Sequence, residues 1–204
     1  VNVWRERLGS WFSPLARRVP LSPNAITVLA FFFNVGATCC FIAGARDPRA
    51  FLAGVVFISI GGLADAFDGI VARVQGKSTR FGDFLDHFLD RVSDTLLVLG
   101  WAWGNGVRPS LMLAALVAAS LNGYIGTQVE ATFGQREYET VGRAELVLGL
   151  IVFPIVSYIL ATNGWNVAHH ASFTIAEWMT FLLIAAALLG IAQRFVVATR
   201  VDRP

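Results

Sequence analysis

Residues 50–72 read AFLAGVVFISIGGLADAFDGIVA. The first fifteen of them carry no charge, and the whole run is long enough to cross a hydrocarbon layer that takes about 20 residues of helix. Yet two aspartates, Asp65 and Asp68, stand near its end. Ionised carboxylates at membrane depth are costly and persist mainly where they have partners. This one stretch therefore sets both expectations for the chain: a membrane-spanning helix, and a site at one end of it.

Working outward, five more apolar runs of comparable length appear, so six spans are expected. In order they are Asn24–Ala45, Ala50–Ala72, Phe84–Gly104, Ser110–Ala131, Ala144–Thr162 and Phe173–Val197. The breaks between them carry charge or turn residues, such as Arg46-Asp47-Pro48-Arg49, Gln75-Gly76-Lys77-Ser78 and Asn163-Gly164. Composition agrees: 55% of the 204 residues are hydrophobic, 15% are charged, and mean hydropathy is +0.61. An average soluble domain has roughly 45–50% and 25%. A soluble core and a disordered tail are both excluded. A net charge of +2 gives no footing for nucleic acid. Cys39 and Cys40, adjacent in an apolar run, read as small buried hydrophobes.

The Lys and Arg residues between the spans and at their ends are unevenly distributed. Twelve fall in the N-terminal segment, the second-to-third loop, the fourth-to-fifth loop and the C-terminus, against three (Arg46, Arg49 and Arg108) on the other side. Cytoplasmic loops carry the excess of cations, so both termini and the acid-bearing ends are expected at the cytoplasmic face of the cell membrane. Before the first span, Trp4, Leu8, Trp11, Phe12 and Leu15 recur at helical spacing among Arg5, Arg7, Arg17 and Arg18. This predicts an amphipathic helix over residues 1–22 lying in the interface against membrane lipids, followed by an all-α membrane domain over 23–204.

Of 14 acidic residues, six lie in one window: Asp65, Asp68, Asp83, Asp86, Asp90 and Asp94. Asp65 and Asp68 are i,i+3, and Asp86, Asp90 and Asp94 are i,i+4,i+8, so each group shares one face of its helix. A short loop containing Gly76 makes the two helices antiparallel neighbours able to face those stripes at each other. Like charges that close repel unless a cation lies among them. An all-oxygen set without Cys or suitably spaced His suits Mg2+ or Mn2+ better than Zn2+. Gly69 and Ala72 leave room for close approach of a ligand, Arg73 offers a cation to a phosphate, and Gly82 lets the next helix start near the same pocket. Metal, phosphate-binding Arg and spare carboxylate together equip a site for phosphoryl-type transfer. Asp83 reads as a first-turn acid, Asp94 as a partner for Arg91, and His87 as a packing or surface residue.

The spacing Asp65-x2-Asp68-Gly69-x2-Ala72-Arg73-x8-Gly82-x3-Asp86-x3-Asp90 resembles, without a mismatch, the signature of the class I CDP-alcohol phosphatidyltransferases. Pro23-Asn24-x-Ile26-Thr27 is similar to that family's usual opening of the first span. The resemblance implies a six-helix membrane enzyme, a homodimer, that transfers a substituted phosphate group from a CDP-linked lipid donor to a small polar alcohol and releases CMP. It implies that Asp65, Asp68, Asp86 and Asp90 hold two divalent ions, and that Asp90 is the base for the acceptor hydroxyl. Gly69, Ala72, Arg73 and Gly82 would line the cytidine diphosphate site. Tyr124-Ile125, Glu130-Ala131 and Arg143-x-Glu145 look like the branch that makes inositol-phosphate phospholipids. Where that branch carries further Lys or Arg, Gly126, Gln128 and Leu146 stand here, which leaves Arg143 and Arg136 as anchors. The acceptor the resemblance implies is inositol phosphate or another polar alcohol. A divalent-cation or proton-coupled transporter is the competing class, and it would want acids in the other half of the membrane as well.

Overall fold

The computed structural model describes residues 13–134, 141–165, 169–170 and 172–201. A short helix α1 (13–18) is followed by six long ones: α2 (Pro23–Ala43), α3 (Arg49–Val74), α4 (Arg80–Gly104), α5 (Pro109–Phe133), α6 (Arg143–Thr162) and α7 (Ile175–Val201). Two short strands, β1 (His169–His170) and β2 (Phe173–Thr174), pair antiparallel just before α7. His169 and His170 thus form a strand between the fifth and sixth expected spans, and α7 begins two residues later than the expected Phe173. Most of the predicted interfacial helix, including Trp4, Arg5, Arg7, Leu8, Trp11 and Phe12, lies outside the described residues. In the part described, Leu15, Arg17 and Arg18 are exposed while Ala16 is buried with Ile26, Ile70 and Val71.

Five helices, α2, α3, α5, α6 and α7, are long and apolar enough to cross a membrane, which makes this a multi-pass membrane protein. The count by composition is five where six were expected. The physical reason lies in α4, whose 25 residues match α2 and α3 in reach but whose first fifteen carry Arg80, Asp83, Asp86, Asp90, Arg91 and Asp94.

Helix α2 is the spine. Small residues on its neighbours let backbones approach closely, as membrane helix packing favours. On α3, a Cβ at Gly54 would collide with the Phe41 ring, and one at Gly61 would lie 2.8 Å from Asn34. On α4, a Cβ at Gly104 would meet the Phe41 carbonyl and one at Gly100 would meet Thr38 at 2.8 Å, while at the other end one at Gly82 would meet Asn24 at 2.9 Å. These contacts set α3 antiparallel and α4 parallel to α2 along its full length. Trp101, fully buried, packs its ring 5.5 Å from Phe153 and donates from Nε1 to Ser157 Oγ at 3.1 Å, which ties α4 to α6.

The end of the bundle away from the aspartates is latched by a long-range pair. Arg108 Nε donates to Glu177 Oε1 at 2.6 Å and its Nη2 to Oε2 at 3.1 Å, and the guanidinium stands 4.5 Å over the Phe173 ring. Glu177, only 3% exposed, also accepts from the Thr174 amide at 2.9 Å, while the Thr174 hydroxyl accepts from the Glu177 amide: a reciprocal cap that starts α7. Removing the cation leaves a buried carboxylate uncompensated, and that cost exceeds the worth of the pair itself. Arg108→Ala is therefore expected to lower the melting temperature in detergent more than the double variant Arg108→Ala/Glu177→Gln does, as read by thermal unfolding.

Candidate active site

The two arms of the aspartate motif are built locally. Helix α3 is terminated two residues past Val74 by Gly76, whose φ of +63° takes the left-handed conformation that L side chains resist, and Lys77 N closes the turn on Ala72 O at 2.9 Å. Three residues on from Gly76, Thr79 caps α4: its Oγ1 accepts from Gly82 N at 3.0 Å. The cap starts α4 at Arg80, four residues before the expected Phe84, so Asp86 and Asp90 stand on a helix already formed. Asp83 lies in the first turn, where the helix dipole favours an acid.

This hairpin brings one carboxylate oxygen from each of Asp65, Asp68 and Asp86 within 4.8 Å of one another. Asp68 is the buried member, at 7% exposure, and Asp65 and Asp86 are half-buried. Its Oδ2 lies 2.5 Å from the Thr27 hydroxyl of α2. Asp90, a turn further along α4, is outside that close trio but lines the same cavity. The donor set is all carboxylate oxygen; His87 Nδ1 is turned to Asp83 O at 2.8 Å and stays 4.0 Å from Asp86. Hard divalent ions of the Mg2+ and Mn2+ type fit such a set.

The trio opens onto a cavity of about 590 Å³ lined by the same end of all six long helices. Gly69, Ala72, Arg73 and Gly82 are all on its wall. Gly69 is not needed for packing, since a Cβ there would meet only the far end of Arg73 at 3.8 Å; its small size keeps space open toward the cavity. Gly82 is different, pressed under Asn24. Arg143 opens α6, and Arg136 lies outside the described residues.

Beside Lys77, two arginines in the cavity wall were not among the sequence candidates. Arg194 of α7 donates to Asn122 Oδ1 of α5 and to Val141 O, at 3.2 Å in the second case. Arg91 of α4 pairs with the buried Asp94 at 3.3 Å, as the sequence suggested, and also reaches the cavity. Glycines make their room: a Cβ at Gly126 would sit 3.2 Å from Arg194 Nε, and one at Gly123 would collide with Arg91. Gly126, read as the loss of a cation, is thus the notch beside which a cation from another helix lies. The only trace in the sequence is the pairing of Gly123-x2-Gly126 with Gly190-x3-Arg194, residues too far apart to be matched by spacing.

Among the described residues, the acids of the long helices gather at the site end except Glu177, which Arg108 holds. That one-sidedness gathers the acids at one end of the bundle instead of spreading them along it. All-helical and multi-pass, with an acid-lined cavity at one end, the chain has the form of a membrane-embedded transferase.

The comparisons make the class specific. The profile of the CDP-alcohol phosphatidyltransferase family matches residues 20–192, and the chain belongs to that family. It is 28% identical over 167 residues to the archaetidylinositol phosphate synthase of Pyrococcus horikoshii, covering 78% of this chain and 84% of that one. To the phosphatidylinositol phosphate synthase of Mycobacterium marinum it is 32% identical over 162 residues, covering 72% and 67%. Among solved structures it is similar to the Mycobacterium tuberculosis phosphatidylinositol phosphate synthase in complex with manganese and citrate. There the TM-score is 0.68 and the identity 27%, over 91% of this chain and 88% of that one. The same enzyme with CDP-DAG bound gives a TM-score of 0.66 at 25% identity, over 91% and 92%. The protein is therefore a CDP-alcohol phosphatidyltransferase of phospholipid biosynthesis.

Proposed function

We propose that this enzyme transfers the phosphatidyl group of a CDP-linked lipid such as CDP-diacylglycerol to a phosphorylated polyol, of which inositol phosphate is the leading case, and releases CMP at the cytoplasmic face. The observation that carries the reading is the trio of carboxylates gathered within 4.8 Å at the wall of a cavity that every long helix reaches. The relatives support the acceptor class, and the manganese and CDP-DAG complexes of the neighbour support the ion and the donor. Helix α4, matched to α2 at both ends, serves as the sixth crossing with its acids turned to the cavity. The twelve-to-three bias of cations supports a site end lying inside.

Asp65, Asp68 and Asp86 would hold Mg2+ or Mn2+, which when bound neutralises diphosphate oxygens and so eases departure of CMP. Arg73 binds the diphosphate, while Gly69 and Ala72 let it lie close to α3. The acceptor oxygen attacks the phosphorus nearer the diacylglycerol, and the bond from that phosphorus to the bridging oxygen breaks. Asp90, in the same wall and outside the trio, takes the proton of the attacking hydroxyl. Arg194, with Arg143 at the start of α6, holds the acceptor's phosphate.

The test is CMP release by purified protein given CDP-diacylglycerol and Mg2+ with inositol phosphate, inositol, glycerol phosphate or serine. Release with a phosphorylated acceptor and not with inositol or serine is expected; equal release with unphosphorylated acceptors would remove the acceptor assignment. Hydrogen bonds to charged groups contribute roughly 1.5–3 kcal/mol, so Arg194→Gln is expected to raise KM for the phosphorylated acceptor by about 10- to 150-fold. KM for the CDP-lipid should stay put, and steady-state kinetics in both substrates separate the two.

A further inference from the structure

The opening of α2, Pro23-Asn24-x-Ile26-Thr27, has no role in the chemistry so far. Its capping is done by Ser22, whose side chain accepts from Ala25 N at 3.2 Å, with Pro23 at the first helical position. Asn24 and Thr27 are thereby left for other work, and each touches one arm of the aspartate motif. Asn24 lies against Gly82 at the start of α4. Thr27 Oγ1 is 2.5 Å from Asp68 Oδ2, and both residues are buried, at 6% and 7% exposure. Thr27 Oγ1 is also 3.1 Å from Pro23 O. A hydroxyl has one proton to give, and the nearer, anionic acceptor is the stronger claimant.

We propose that Thr27 is a positioning residue of the metal centre: its hydroxyl fixes the rotation of the Asp68 carboxylate, and divalent-ion affinity depends on that bond. The inference rests on the metal reading of the trio and goes beyond it by giving α2 a part in the site. A carboxylate free to turn loses orientational entropy on ligation, whereas one already held by a buried donor does not. Partners of this kind, hydrogen-bonded to metal ligands, typically change metal affinity by about 10–100-fold when removed.

Thr27→Val keeps the shape and deletes the donor, and Thr27→Ser keeps the donor. Mn2+ binding to the full chain in detergent, without either substrate, is read by electron paramagnetic resonance for both variants and for Asp68→Asn. The expected result is Mn2+ affinity weakened by about 10–100-fold in Thr27→Val and restored in Thr27→Ser. In turnover, the Mg2+ concentration for half-activation of Thr27→Val should rise by the same factor, while its rate at saturating Mg2+ recovers. Wild-type Mn2+ affinity in Thr27→Val, with binding lost in Asp68→Asn, overturns the proposal and leaves the metal trio standing. Wild-type affinity in Asp68→Asn overturns the metal reading itself. Equal failure of Thr27→Ser and Thr27→Val, unrelieved by saturating metal, shows a purely structural role and also overturns the proposal.

Discussion

Asp86→Asn is expected to reduce CMP release from CDP-diacylglycerol by at least about a thousandfold. Asparagine matches aspartate in shape and keeps one carbonyl oxygen, so α4 and its packing on α2 should survive. What disappears is one of three carboxylate ligands within 4.8 Å of one another. A metal that stabilises transition-state charge supplies several kcal/mol, and each 1.36 kcal/mol is tenfold in rate, so losing the ion costs three powers of ten or more. Asp86 is the cleaner choice for this test because Asp68 is also bonded to Thr27, and a change there disturbs α2 as well. Turnover within tenfold of wild type in Asp86→Asn would separate the acid cluster from the chemistry.

Asp90→Asn is expected to lower the rate by about 10²–10⁴, the usual worth of a general base. Its signature should differ from that of Asp86→Asn. Asp90 lines the cavity without belonging to the close trio, so Mn2+ binding and CDP-lipid binding should both persist. Single-turnover CMP release beside equilibrium donor binding resolves this. Full turnover would remove the base assignment, and loss of Mn2+ binding would move Asp90 into the ligand set.

The aspartate site was legible in the sequence because its geometry is local. Intervals of three and four put Asp65 with Asp68, and Asp86 with Asp90, on single helix faces, and a loop of a few residues folds the two faces together. The ends of the apolar runs were legible too: Asn24–Ala45 and Ala50–Ala72 were expected, and Pro23–Ala43 and Arg49–Val74 are found. Hydropathy marks where a helix turns apolar, not where it is capped, which is why Thr79 starts α4 earlier than expected and the Thr174 cap starts α7 later. Contacts made across the bundle left no local signal. Arg194 reads as one more cytoplasmic cation until Asn122 and Gly126 of α5 are packed beside it, 72 and 68 positions back. Arg108 likewise reads as a topological charge until Glu177, 69 residues on, is found in reach.

Crystals soaked with Mn2+ and CDP-diacylglycerol put the central claim to its most direct test. Anomalous scattering is expected to show Mn2+ among the Asp65, Asp68 and Asp86 oxygens, with the donor's diphosphate against it and against Arg73. A cavity that takes up the nucleotide while no anomalous peak appears between those three side chains would contradict the account.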